Sequence, residues 1–215
     1  KPGLFTAQGR DACGTLWFDD LGVTPAEPPA AWLNVPGPRA PRPHASHKGS
    51  WGDVAVIGGE CDATHGVAMA GAALLAASAA LHGGAGRVYV SLLGDGGPML
   101  DASQPELMFR RFDALELGGM TAVCGCGGGS AVRGMLPAVL AQAPRLVLDA
   151  DALNAVAQDG DLQQALARRA TRGQVTVLTP HPLEAARLLG RSAGEVQADR
   201  LAAAQALATR WQCVA

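Results

Sequence analysis

Lysine is almost absent. Of 17 basic residues only Lys1 and Lys48 are lysines and 15 are arginines, so a catalytic lysine has two candidates at most. A basic excess is absent as well. Nineteen acidic residues bring the formal net charge to -2, which leaves nothing to hold nucleic acid or an anionic membrane non-specifically. Paired cysteines are lacking: Cys13, Cys61, Cys124, Cys126 and Cys213 are odd in number, and their spacing is unlike a disulfide framework. Cys124 and Cys126 have no second pair or nearby histidine to complete a zinc site. All five read as buried thiols in a reducing, cytoplasmic setting. No signal-peptide pattern opens the chain, and the longest apolar run, Val67 to Leu81, is too short and too rich in Ala and Gly for a membrane span. The 28 glycines and 14 prolines show no G-X-Y period, which excludes collagen.

What remains is a chain of 215 residues, 48% hydrophobic and 17% charged, able to bury a sizeable core. Three zones differ in composition. Residues 1–23 are mixed, with Phe5, Trp17 and Phe18. Residues 24–46 and the few that follow are a linker stiffened by Pro25, Pro28, Pro29, Pro36, Pro38, Pro41 and Pro43. Beyond them, short apolar runs alternate with longer amphipathic ones, the pattern of a mostly parallel α/β sheet with helices on both faces. Strands are predicted at Val54–Ile57, Arg87–Leu92, Leu107–Phe112, Thr121–Cys124, Arg145–Asp149 and Val175–Thr179. Helices are predicted at Val67–His82, Val132–Gln142, Ala152–Ala157, Leu162–Arg169, Pro182–Leu189 and Ala198–Trp211. Cys213–Ala215 reads as the start of one more strand.

Ligands of open parallel sheets sit beyond the carboxyl ends of the strands. Four ends carry suitable residues. Gly58-Gly59-Glu60, with Asp62, Thr64 and His65, leads into a helix of small residues whose N-terminal N–H groups suit a polar or anionic ligand; a plain flexible loop is the alternative. Gly125 to Gly129 is a loop that could lie against a ligand or make an ordinary tight turn. It misses the G-x-G-x-x-G fingerprint because the third glycine position falls on Ser130, although Asp149 follows at the next strand end. Asp149, Asp151 and Asn154 could orient a hydroxyl-bearing ligand or a hydrated metal, or Asp151 could only cap a helix. In Thr179-Pro180-His181-Pro182-Leu183-Glu184, Pro182 suits a first helical turn, Glu184 complements the helix's positive end, and His181 is pinned on a rigid turn at the ligand edge.

These residues also carry a family resemblance. His47-Lys48-Gly49, Val54-Ala55-Val56-Ile57-Gly58-Gly59, Gly71-Ala72-Ala73-Leu74-Leu75 and Gly84-Ala85-Gly86 resemble the ADP/ATP-dependent NAD(P)H-hydrate dehydratases. So do Leu148 to Asn154 (LDADALN) and Leu178 to Gly190 (LTPHPLEAARLLG). The resemblance spans residues 47–215 and implies a ribokinase-like fold. Residues 1–23 look like the tail of the NAD(P)H-hydrate epimerase domain that precedes the dehydratase in bifunctional enzymes, with 24–46 as the linker.

The resemblance implies repair of hydrated NADH or NADPH. The hydroxyl is phosphorylated from ADP or ATP with Mg²⁺, and phosphate loss restores the cofactor. It places Ala72, Gly129 or Gly127, and His181 against the hydrate, and Glu184 where related kinases order Mg²⁺ and phosphate. Asp149, Asp151 and Asn154 fall on the same edge. Two departures stand out. The family's G-P-G-x-G loop has Cys126 in place of proline, and the family's later Lys-Gly turn and G-x-G-D segment, with its catalytic Asp, would lie beyond Ala215. A chain ending at Ala215 is therefore expected to bind ligand without turnover. A ribokinase-like kinase of a vitamin-precursor alcohol and an inactive dinucleotide-binding fragment are the alternatives. Relatives are often homo-oligomers, though the sequence shows no interface.

Overall fold

In β1 (Asp53–Gly58), Ala55, Val56 and Ile57 are all fully buried. A strand apolar on both faces belongs in the middle of a parallel sheet, and β1 lies there. A computed structural model describes residues 2–29, 31–34, 37 and 41–215; Lys1, Pro36 and Pro38 lie outside the described residues. The sheet adds β4 (Arg87–Leu92), β5 (Met108–Phe109), β6 (Met120–Cys124), β7 (Arg145–Leu148) and β8 (Val175–Leu178) in the order β5-β4-β1-β6-β7-β8, every pair parallel. The register sets Ile57 beside Cys124 and Leu148 beside Leu178, which brings the carboxyl ends of β1, β6, β7 and β8 to one edge.

One face is covered by α2 (Ala70–His82), whose Ala73 and Ala77 lie against Val56, Val88 and Val90. Alanines let this helix approach the sheet closely. The other face is covered by α3 (Val132–Gln142), α4 (Ala150–Ala157), α5 (Gly160–Thr171), α6 (Pro182–Leu189) and α8 (Arg200–Trp211), which supply Leu136, Leu140, Leu153, Leu166, Leu188 and Leu207 to one core. Helices on both faces of a mostly parallel sheet therefore hold as expected.

Arg169 of α5 is 1% exposed and makes no ion pair with an acidic side chain among the described residues. Its guanidinium donates to Thr176 Oγ1 at 2.8 Å, Leu140 O at 2.8 Å and Val175 O at 3.1 Å. It thereby ties α5 and the end of α3 to β8, the strand that delivers His181.

Several predicted bounds shift. The helix expected from Val67 starts at Ala70, because Val67–Ala68 form β3, paired antiparallel with β2 (Cys61–Asp62). Asp62 turns this hairpin by accepting from the backbone N–H groups of Thr64 and His65. The strand expected over 107–112 shrinks to Met108–Phe109, and residues 112–114 form a 3₁₀ turn. β7 ends at Leu148, and α4 begins at Ala150, so Asp151 sits in its first turn and does not cap it. The helix expected from Ala198 is two: α7 (Ala193–Ala198), capped by Ser192, and α8, capped by Asp199. A short acidic cap after a short helix left no periodicity to detect. Near the end, Val214 bridges Val177 in parallel, as the expected further strand requires. The thiols are less uniform than expected: Cys61 and Cys124 are buried, but Cys13, Cys126 and Cys213 are partly exposed, and all five are free. Among the described residues before the sheet, which include α1 (Ala7–Ala12), Trp17 is 83% and Phe18 86% exposed.

Candidate active site

The glycine loop after β6 is the centre of the strand-end edge. Its backbone is laced to the loop after β1: Gly59 N donates to Cys126 O at 2.9 Å and Glu60 N to Gly127 O at 2.6 Å. Gly127 lies in the left-handed region, and a Cβ there would come within 3.0 Å of the Ala72 methyl and 2.9 Å of Met69 O. Thus two residues expected at the ligand edge, Ala72 and Gly127, lie against one another. Ala72 is exposed in the first turn of α2, and Gly127 is half-buried.

Gly129 is also left-handed, and a Cβ there would displace the carboxylate of Glu60. Its N–H donates to Asp151 Oδ2 at 2.8 Å. Asp151 therefore holds the glycine loop against α4, a role that separates it from the helix cap considered from sequence.

Asp149 stands where β7 enters α4. The Thr179 hydroxyl lies 2.8 Å from its Oδ1, and the Cys126 thiol donates to Oδ2 at 3.4 Å. Burial, followed by the charge of Asp149 and this hydrogen bond, pushes the Cys126 thiol up to about 12. The thiol stays protonated and serves as a donor, with little nucleophilic character. The next residue, Ala150, has φ +46, strained for a residue with a side chain. Three strand ends thus converge on one half-buried carboxylate.

His181 and Glu184 make a capping box at the start of α6. His181 Nδ1 accepts from Leu183 N at 3.1 Å and Glu184 N at 3.3 Å, and Glu184 Oε2 accepts from His181 N at 2.9 Å. Accepting at Nδ1 puts the ring proton on Nε2, which lies 3.1 Å from Glu184 Oε1. The Glu184 side chain is 5% exposed while that of His181 is 58% exposed, so the ring presents an edge to solvent and the carboxylate supports it from within. Asn154 Oδ1 accepts from Arg187 at 2.5 Å, which joins α4 to α6.

The structure therefore gathers Ala72, Gly127, Gly129, Asp149 and Asp151 into one bonded cluster, with His181 and Glu184 on the turn two residues past Thr179. Sequence reasoning assigned no role to Thr179, Cys126 or Arg187. Thr179 and Cys126 lie one and two residues past the ends of β8 and β6, and that position was a usable signal; nothing local marked Arg187. A wide cleft of about 1120 Å³ between residues 3–11 and α7–α8 holds none of these groups.

Comparison with characterised proteins shows the family of the chain. A family model described as NAD(P)H-hydrate dehydratase matches residues 54–215. An ADP-dependent (S)-NAD(P)H-hydrate dehydratase of Neisseria meningitidis is 41% identical over 170 residues, covering 75% of this chain and 54% of that protein. A bifunctional NAD(P)H-hydrate repair enzyme of Escherichia coli is 36% identical over 236 residues, covering 100% of this chain and 41% of its own length. The chain thus spans about half the length of the curated relatives it matches. Among solved structures, an ADP/ATP-dependent NAD(P)H-hydrate dehydratase of Bacillus subtilis, co-crystallised with ATP and Mg²⁺, superposes with a TM-score of 0.62 at 29% identity, covering 80% of this chain and 60% of that one. A ribokinase-like superfamily protein of Enterococcus faecalis, at 24% identity and a TM-score of 0.59, shares the fold.

Proposed function

Because the chain belongs to the NAD(P)H-hydrate dehydratase family, we propose that it forms the hydrate-binding part of an enzyme that restores NADH or NADPH. The reaction on this reading is phosphorylation of the hydrate hydroxyl from ADP or ATP, followed by loss of phosphate. The observation that carries it is the convergence of the glycine loop, Asp149 and the His181 turn at one sheet edge, within the residues matched by the family model.

The chain's own residues bind and orient. The close seat of Gly127 on Ala72 leaves a low surface on which the hydrated nicotinamide ring can lie. His181 offers an exposed ring edge, and its Nε2 proton, 3.1 Å from Glu184 Oε1, reaches a carbonyl, hydroxyl or phosphate oxygen of the ligand only by being shared with that carboxylate. Asp149, held by Thr179 and Cys126, presents an acceptor to the hydrate or its ribose. Mg²⁺ would supply charge neutralisation on the phosphoryl donor. Among the described residues no group of three His, Cys, Asp or Glu side chains assembles a metal site. Such an ion would take its ligands mainly from nucleotide phosphates and water, with Asp149 or Glu184 contributing at most one or two oxygens. Both carboxylates already have partners on both oxygens, and Asp149 is the more exposed of the two.

The test supplies NADH hydrate, ADP and Mg²⁺ to the full-length protein and follows the return of NADH absorbance. Recovery that depends on ADP is expected. A folded protein that gives no recovery with either ADP or ATP would remove the assignment.

A further inference from the structure

Glu60 is bonded through every polar group it has. Its N–H donates to Gly127 O at 2.6 Å, and its carbonyl accepts from Met69 N at 2.9 Å. Its carboxylate accepts from Ser130 Oγ at 3.0 Å, Ser130 N at 3.3 Å and Ala131 N at 2.9 Å. The last two N–H groups open α3, a helix whose own N-cap, Ala131, has no side chain to cap with. A carboxylate there is favoured by the unsatisfied N–H groups and by the positive end of the helix. This cap comes from 70 residues upstream.

The consequence concerns the ligand contacts. Met69 precedes α2, which carries Ala72 one turn later, and Gly127 and Gly129 flank the bonds to Glu60. One residue therefore fixes the distance between the start of α2 and both glycines. We infer that Glu60 is a positioning residue for dinucleotide binding: its carboxylate locks the glycine loop to the base of α2 and so presets the surface that the hydrate meets. The inference rests on the proposed function for the identity of the ligand. Glu60 itself need not touch that ligand.

The experiment compares wild type, Glu60→Ala and Glu60→Gln in the full-length protein. Glu60→Gln keeps one acceptor but turns an NH₂ group towards a neighbouring N–H donor, so it restores only part of the clamp. Three readouts are taken: NADPH affinity by fluorescence titration, the split between KM for the hydrate and kcat, and amide exchange at Ser130 and Ala131. In Glu60→Ala, Kd for NADPH and KM for the hydrate are expected to rise about tenfold, the ratio that ~1.4 kcal/mol represents. kcat should fall by less than about twofold, and exchange at Ser130 and Ala131 should quicken. Glu60→Gln should lie between. Unchanged Kd and KM in Glu60→Ala, with wild type binding normally, would overturn this inference alone. Faster exchange without loss of affinity would also overturn it, since Glu60 would then be only a helix cap. A wild-type protein that binds no dinucleotide would overturn the proposed function, and this inference with it.

Discussion

His181 performs two jobs that its neighbours allow to be separated. Its Nδ1 caps α6, while its exposed ring edge is open to solvent, where the proposed function places the hydrate. Asparagine is also a good N-cap, because its side-chain oxygen can accept from the same N–H groups. His181→Asn is therefore expected to hold stability to within about 0.5 kcal/mol by urea denaturation, yet to weaken hydrate binding measured as KM. His181→Ala should lose both, with a stability cost of about 1 kcal/mol. Equal KM values for wild type and His181→Asn would leave His181 as a cap only. This double duty was half legible in sequence. The Pro-His-Pro frame marked a rigid turn, but only the structure shows that the ring itself is the cap.

At the scale of elements, the join between α5, α3 and β8 depends on Arg169. Burial, and then the charge of Arg172, push its guanidinium down to about 10. Holding that charge inside the core costs free energy, and three acceptors offset it: Thr176 Oγ1, Leu140 O and Val175 O. Arg169→Met removes the charge but leaves two backbone carbonyls and a hydroxyl without their donor. An orphaned buried group costs about 1–3 kcal/mol. After relief of the buried charge, a net loss of about 2 kcal/mol is expected from the midpoint of urea unfolding. Arg169→Lys, with a single-headed donor, should fall between. A methionine variant as stable as wild type would show that the burial cost equals the bonds gained. Periodicity announced α5 as a helix. It did not announce that an arginine on it would be buried, since arginine usually marks a solvent face.

The hairpin of β2 and β3, like α7, is an element that sequence reading missed. The run from Val67 is uniformly apolar and small, so it reads as helix throughout. The chain instead spends Val67 and Ala68 on pairing with Cys61 and Asp62, a choice made by the Asp62 turn upstream. α4 shows the reverse error. Its true start at Ala150 involves a left-handed residue, which no propensity favours, so the sequence placed the boundary two residues late.

For the whole molecule, the scarcity of lysine has a thermodynamic use. Few groups titrate between pH 8 and 10, and thiols dominate those that do. Burial raises Cys124 and Cys126 to about 12 and Cys213 to about 11, from an ordinary 9; for Cys126 the charge of Asp149 adds to it. A folded-state value above the unfolded one means the stabilisation is complete below pH 9. It is lost as pH rises through 9 towards the folded values. Arg169 acts in the opposite sense, but only above about 10. Stability is therefore expected to fall by about 2 kcal/mol from pH 8 to pH 10, after discounting the half-exposed Cys126 and Cys213 for solvent. Denaturant midpoints at the two pH values measure it. A Cys124→Ala variant should show a shallower fall, and a profile equally steep in that variant would assign the loss to other groups.

No helix among the described residues is long and apolar enough to cross a membrane, as the broken Ala- and Gly-rich run implied. By itself the sequence determined the parallel α/β plan, the order of its elements and the family motifs at the strand ends. These are set by local periodicity and by turn chemistry, which act over a few residues. Tertiary structure alone decided which of those motifs join. Glu60 caps a helix that starts 72 residues later, Asp151 holds Gly129, and Arg169 serves three elements at once. Such partners are chosen by packing across the sheet, where residues remote along the chain come within hydrogen-bond reach and no local pattern records the match.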